Sequence, residues 1–157
     1  MLQKYLTVFF ISMVPLVELR GAIPMGLTMG LDAIPTIAVA VLGNLLPVPV
    51  IYFFARKFLL WGAKRRYIWK VCRFFLEKGE RAGQRLVAKT GRGGLALALM
   101  IFVGIPLPGT GAWTGVLGAS FLNMGFKSTT AAVCLGVILA GVIMTAVSLA
   151  GLHLFGL

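Results

Sequence analysis

Apolar runs of two lengths alternate along the chain with short clusters of charge, glycine and proline. Residues 5–17 and 95–105 are apolar but shorter than the ~20 residues a membrane-spanning helix needs, whereas residues 33–60 and 128–155 are long enough. Each short run leads into a breaker cluster, residues 18–24 in the first half and 106–111 in the second. A second short apolar piece then follows each cluster, residues 25–31 and 112–122. Proline removes a backbone donor and clashes with the preceding turn, while glycine permits the left-handed or extended backbone that a sharp reversal requires. The pattern predicts, twice over, a hairpin that dips into a membrane and returns, followed by one true crossing. Within the first long run, Leu46-Pro47-Val48-Pro49 predicts an interruption. Asn44 is placed either to bond carbonyls released by Pro47 or to touch a substrate.

A hairpin returns to its own side, so each half crosses once and the second half is inverted relative to the first. The halves share a few residues: Gly21-Ala22 resembles Gly111-Ala112, and Val41-Leu42-Gly43 resembles Cys134-Leu135-Gly136. Inverted repeats with broken helices meeting near the midplane are a recurring transporter plan. The expected fold is therefore an all-α membrane protein of two inverted repeats, residues 1–60 and 93–157, joined by a basic amphipathic helix in residues 61–92. Each repeat is a re-entrant helical hairpin plus one long transmembrane helix. Four full crossings compete with this arrangement and would place both termini inside rather than outside; the density of breakers favours the hairpins. Non-helical backbone at bilayer depth must be buried in protein or line a watery cavity, so the two breaker clusters are expected to face each other.

Composition narrows the class. The chain of 157 residues is 59% hydrophobic with four acidic residues, and its mean hydropathy is +0.97. One soluble core of this size could not hide so many long apolar runs, so a single integral membrane domain is expected. Residues 5–17 have the length of a signal-peptide core, but Met1-Leu2-Gln3-Lys4 is a thin basic region and Glu18-Leu19-Arg20 a poor cleavage site. They are read as part of the mature protein.

The net charge of +11 is concentrated rather than spread, with twelve of the fifteen Lys and Arg residues between positions 56 and 92. By the positive-inside rule this segment is cytoplasmic, in a multi-pass protein of the cytoplasmic membrane. Ile68, Val71, Cys72 and Phe75 recur at helical spacing, with Arg66, Lys70, Arg73 and Glu77 largely on other faces. That describes either a helix lying on anionic headgroups or a purely topological anchor. Nucleic acid is not an expected partner, because no soluble domain accompanies the charge. Cys72 and Cys134 have no CxxC spacing and no clustered histidine, so neither a disulfide, a metal nor a cofactor is expected. His153 is read as a lone interfacial histidine.

Charge at bilayer depth usually marks function. Glu18 and Arg20 are two residues apart, a spacing that does not juxtapose side chains on a regular helix. They either pair because the helix has ended or point apart toward different partners. Arg20 could engage a phosphate or carboxylate through its planar fork, with Glu18 as structural partner or titrating switch. Backbone amides near Gly21, Gly109 and Gly111 could add donors for an anion. Thr110 brings a hydroxyl, and Trp113 either packs or offers an amphipathic ring. The candidate substrate-binding set is Glu18, Arg20, Gly21, Pro24 and Asn44 from the first half, with Pro108, Gly109, Thr110, Gly111 and Trp113 from the second. Asp32, at the start of a long helix, is explained by the helix dipole. No nucleophile, base or metal constellation points to an enzyme.

Residues 18–24 (Glu-Leu-Arg-Gly-Ala-Ile-Pro) and 106–115 (Pro-Leu-Pro-Gly-Thr-Gly-Ala-Trp-Thr-Gly) together resemble the paired signature of the small multi-drug export proteins of bacteria and archaea. The resemblance spans nearly the whole chain. More distantly, the architecture resembles the DedA superfamily, whose members carry two facing re-entrant hairpins. Some of those are implicated in returning undecaprenyl phosphate across the cytoplasmic membrane, with proton coupling proposed. Thr110 stands where DedA proteins commonly carry an acid after proline-glycine, and no second arginine occupies the other hairpin.

Three functions follow as expectations. The first is transport of an amphiphilic anion such as a polyprenyl phosphate, its headgroup held by Arg20 and hairpin amides while its tail stays among the membrane lipids. The second is proton-coupled export of lipophilic cations through Glu18. The third is membrane assembly without transport. An arginine beside the acid favours the first. So small a chain has little bulk with which to enclose a pathway alone, which leaves a homodimer open.

Overall fold

The computed structural model describes residues 1–62, 69–107 and 109–155, and the regular structure among them is helical. Two short helices, α1 (Leu2–Met13) and α2 (Glu18–Thr28), precede α3 (Ala33–Leu45) and α4 (Val48–Gly62), which are separated at Leu46 and Pro47. Then come α5 (Trp69–Gly104), the short α6 (Ala112–Phe121) and the long α7 (Phe126–Phe155). Ala33–Ala55, Val87–Gly104 and Phe126–Leu152 are long and apolar enough to cross a membrane. The first lies within one of the two long runs expected to cross, and the last overlaps all but the edge of the other; the middle one is an addition to the sequence pattern. It contains Gly91, whose φ of 70° interrupts the helix. The continuous stretch beyond it, residues 92–104, is about 20 Å long at 1.5 Å per residue, shorter than a hydrocarbon layer of about 30 Å.

The α1–α2 pair comes back to where it begins, and the chain beyond α6 comes back to the part of α5 around Gly91. The Lys4 ammonium donates to the Met29 carbonyl at 2.6 Å, tying the start of α1 to the end of α2. Val87 and Arg92 on α5 line one cavity together with residues 122–128, which lie beyond α6.

The first reversal lies earlier than residues 18–24. Val14 leaves α1 with extended backbone, and Leu16 takes a left-handed φ of 72°. Glu18, which opens α2, is itself left-handed at a φ of 51°, so the chain turns over residues 14–18, and Gly21 and Pro24 sit inside the helix that follows. Pro24 deletes a single helix bond, to the Arg20 carbonyl. Complete burial of Ala22 and Ile23, with Leu19 nearly so, holds the helix despite it. The second reversal falls where the sequence predicts it, between the end of α5 at Gly104 and Ala112, with Gly109 at a left-handed φ of 86°. Pro108 lies outside the described residues. So do Arg66 and Ile68 of the basic segment and the side chains of Val71, Cys72, Phe75 and His153.

The halves repeat each other at a constant offset of 93 residues. Met29, Gly30 and Leu31 donate to the carbonyls of Met25, Leu27 and Gly26; Leu122, Asn123 and Met124 donate to those of Gly118, Ser120 and Ala119. This is the same left-handed helix ending, built on Gly30 (φ 76°) in one half and on Asn123 (φ 57°) in the other. Thr36 and Thr129, also 93 apart, each donate their amide to a residue four earlier, and both are fully buried. Gly43 and Gly136 mark two close helix crossings: a methyl at Gly43 would strike the Phe9 carbonyl of α1, and one at Gly136 the Met100 carbonyl of α5. The likeness of 41–43 to 134–136 thus follows this register. That of Gly21-Ala22 to Gly111-Ala112 does not, because Gly111 falls opposite Glu18.

Packing crosses between the halves. α2 lies against α7, and α6 against α4. A methyl at Gly141 of α7 would touch Ile37, Val41 and Ile23 at 3.4–3.9 Å. On the other side, the buried Tyr52 hydroxyl of α4 donates to the Met124 carbonyl just past α6, and Ser120 of α6 donates to the Tyr52 carbonyl at 3.5 Å.

Candidate functional site

The two reversals meet. Glu18 is only 5% exposed, and its carboxylate accepts the Trp113 amide at 3.1 Å and the Ala112 amide at 3.3 Å. These are the first amides of α6, which no earlier turn of the helix can satisfy. Glu18 therefore caps a helix of the opposite half, and its negative charge sits at the positive end of that helix dipole. Gly111 makes room for it, because a methyl there would be driven into the carboxylate.

Arg20 serves the other edge of the same break. Its guanidinium donates to the Leu107 carbonyl, to the Ile105 carbonyl at 3.3 Å and to the Thr110 hydroxyl at 2.9 Å. The Thr110 hydroxyl lies in turn within bonding distance of the Ile105 and Leu107 carbonyls, at 2.8 and 2.9 Å. Carbonyls exposed where α5 stops are thus gathered by a cation, while amides exposed where α6 starts are gathered by an anion. Charge-assisted bonds of this kind are about twice as strong as neutral ones. No ion pair joins Glu18 to Arg20 among the described residues, whose ion pairs connect Glu77 to Arg73 and Arg81. The two charges point apart, toward different partners.

A cavity of about 220 Å³ lies where the reversals touch, and Glu18, Arg20, Gly109, Thr110, Gly111 and Trp113 contribute to its wall. Of the remaining predicted site residues, Gly21, Pro24 and Asn44 are not in that wall. The Gly21 amide donates to the Val17 carbonyl at 3.1 Å and the Gly111 amide to the Thr114 hydroxyl at 3.0 Å, so neither is free for an anion. Asn44 is 1% exposed, and its side-chain amide makes no hydrogen bond with the described residues. It does not bond carbonyls released by Pro47. The Trp113 indole N–H is likewise buried without a partner among the described residues, while its ring packs against the core.

Pro15, Leu16, Thr114 and Leu117 complete the wall and were not singled out by the sequence pattern. Pro15 was a usable signal: a proline three residues before the charged cluster marks the true turn. Thr114 carried a weaker one, as a hydroxyl residue three positions after Gly111 in a helix opening.

After two Nη2–H bonds and one Nη1–H bond, the Arg20 fork retains its Nε–H and one Nη1–H without a partner among the described residues. The site can therefore present a fixed positive charge and two directional donors to a cavity wall, beside a carboxylate already occupied by amides.

The model of the family described as "Putative small multi-drug export protein" matches residues 18–143, beginning at the acid of the cap and ending within α7. No curated protein and no solved structure matches the chain.

Proposed function

Because the chain belongs to the family of small multi-drug export proteins, we propose that it is a transporter of the cytoplasmic membrane that moves an amphiphilic anion with a phosphate headgroup, such as a polyprenyl phosphate. Its apolar helices and its family make it a membrane protein; substrate and pathway are our proposal. The α1–α2 and α5–α6 pairs act as re-entrant hairpins entering from opposite faces. Three features support this: α2 returns to the start of α1 and the chain beyond α6 to the region of Gly91 in α5, the pairs touch at their reversals, and the continuous arms on either side of each reversal are too short to cross. The repeated backbone bonds at a 93-residue offset support inverted repeats.

The observation that carries the substrate class is the orientation of the two charges. Both Glu18 oxygens are occupied by α6 amides, whereas Arg20 keeps unpaired donors on a cavity-lining fork. A site for lipophilic cations would need the reverse. An anion arriving at Arg20 competes with the carbonyls of Ile105 and Leu107 for its donors, so binding loosens one side of the tip contact. Protonation of Glu18 would loosen the other side by removing the charge that caps α6. Alternate exposure of the two hairpins follows from releasing these clamps in turn, with the lipid tail remaining in the bilayer.

The test is native mass spectrometry of the purified protein with a polyprenyl phosphate. Arg20→Lys keeps the charge but loses the fork, and Arg20→Gln loses the charge. Lipid adducts should fall at least tenfold in Arg20→Gln and less in Arg20→Lys, measured on protein that still melts cooperatively in detergent. Adducts equal to wild type in both variants would refute the phosphate assignment. Labelling of cysteines introduced at positions 2 and 155, from outside intact cells, tests the hairpins: both sites should react.

A further inference from the structure

The second hairpin carries a larger opening that the tip site does not use. A cavity of about 680 Å³ lies at the end of this hairpin away from the tip, with Arg92 and Lys127 in its wall and no acidic residue among its described lining. The rest of that wall is mostly apolar. It shares Leu95, Leu122 and Met124 with a second cavity of about 290 Å³ that runs between α5 and α6. Leu95, Ala98 and Phe102 line one side of this groove and Gly115 and Gly118 the other, and Thr114 is the one polar side chain among the described residues of its wall. Thr114 also lines the tip cavity. Cationic mouth, dry groove and tip site thus form a connected series along one hairpin.

The groove has a sequence cause. In the 93-residue register Gly118 stands opposite Met25 of the first hairpin. A methyl at Gly118 would meet nothing within 4 Å, so the space that a long side chain could fill at this position is left open. Gly115 is different: a methyl there would collide with Val103, so its absence lets the helices approach. From Leu95 to Phe102 the groove follows about 10 Å of helix, with no charge along it.

We propose that the α5–α6 groove binds one phosphate-headed membrane lipid, the headgroup between Arg92 and Lys127 and an alkyl tail over Gly118. Charge complementarity selects the head, since two exposed cations with no acid among the described lining residues attract an anion at the membrane surface. The dry groove selects the tail, because a free phosphate would leave it unused. The use of this site as the entry point to the tip rests on the transport function proposed above; lipid binding itself rests on the groove alone.

The test uses full-length protein in detergent and dioleoyl phosphatidic acid as probe, with dioleoyl phosphatidylcholine and inorganic phosphate as comparators. Wild type is expected to bind phosphatidic acid at least tenfold more tightly than phosphatidylcholine, and inorganic phosphate at millimolar excess should not displace it. Gly118→Leu fills the groove and should weaken binding at least tenfold, whereas Gly118→Ala should change it less than threefold. The double variant Arg92→Gln with Lys127→Gln alters exposed side chains, keeps the fold and should abolish the preference for phosphatidic acid. Unchanged binding in that variant, equal affinity for phosphatidylcholine, or displacement by inorganic phosphate each overturns the proposal. Arg20→Gln should leave this binding intact while stopping polyprenyl phosphate movement in proteoliposomes. Failure of wild type to move that lipid, with groove binding retained, would reject transport and leave the groove site standing.

Discussion

The two hairpins meet at their tips with opposite resources. The first arrives with charge at the start of a helix: α2 presents Glu18 and Arg20, and the Glu18 and Gly21 amides already donate to the Val14 and Val17 carbonyls. The second arrives with its helix interrupted between Gly104 and Ala112, leaving the Ile105 and Leu107 carbonyls and the Ala112 and Trp113 amides without a helix bond four residues away among the described residues. Neither would be stable alone in a hydrocarbon medium, where an unpaired peptide group costs several kcal/mol and a bare charge more. Together each satisfies the other. A charged pair in an apolar chain is thus read best by asking which broken helix ends it faces, not whether its members face each other.

Exchanging the two charges disrupts this mutual satisfaction most strongly. In Glu18→Arg with Arg20→Glu the pair is preserved but each charge now faces the wrong helix end. If the two residues served only one another, the exchange would be tolerated. With each hydrogen bond to a charged group worth about 1.5–3 kcal/mol, we expect a loss of at least about 4 kcal/mol, read as failure to melt cooperatively in detergent.

A smaller effect sharpens the equivalence of the halves. Gly43→Val and Gly136→Val each force side-chain atoms against a backbone carbonyl of the neighbouring helix, and similar losses of about 2–3 kcal/mol are expected from both. Melting temperatures that drop for one and not the other would show that the 93-residue register does not extend to these crossings.

Asn44 separates structure from function within the first half. It falls opposite Val137 in the register, and its buried amide has no partner among the described residues. Asn44→Leu should leave thermal stability unchanged or raise it by about 1 kcal/mol, since an unpaired buried polar group is itself destabilising. A clear drop in melting temperature would reveal a structural bond. Unchanged melting with lost lipid movement would place Asn44 on the pathway.

The smallest effect belongs to the basic segment outside both hairpins. Arg73 and Glu77 form an exposed ion pair at 2.8 Å, one helical turn apart. Arg73→Ala should cost no more than about 0.5 kcal/mol and shift the melting curve within error. A larger loss would mean that the segment packs on the hairpins instead of lying beside them.

Much of this was legible in the chain. The short and long apolar runs gave helices of the expected class, and the proline pair at 47 and 49 gave the break between α3 and α4. The second reversal fell on its glycines and prolines because nothing nearby could rescue helical backbone there. The first did not fall on Gly21 and Pro24, since burial of Ala22 and Ile23 outweighed two poor helix formers while Pro15 and Leu16 had already turned the chain. Propensity is a local quantity of about a kcal/mol for glycine and about three for proline, and packing on both faces of a short helix can exceed it.

Sequence by itself determined the membrane class, the helical periodicity, the concentration of basic charge in one segment and the residue types available at the tips, because each depends on composition or on neighbours within a few residues. Tertiary structure decided which helix end each charge serves, the 93-residue register, the loss of Gly21 and Gly111 as anion donors, and the groove over Gly118. Those depend on contacts between residues some ninety positions apart, such as Glu18 with Ala112 and Arg20 with Thr110. A one-dimensional pattern holds the spacing of such groups along the chain but not their direction in space.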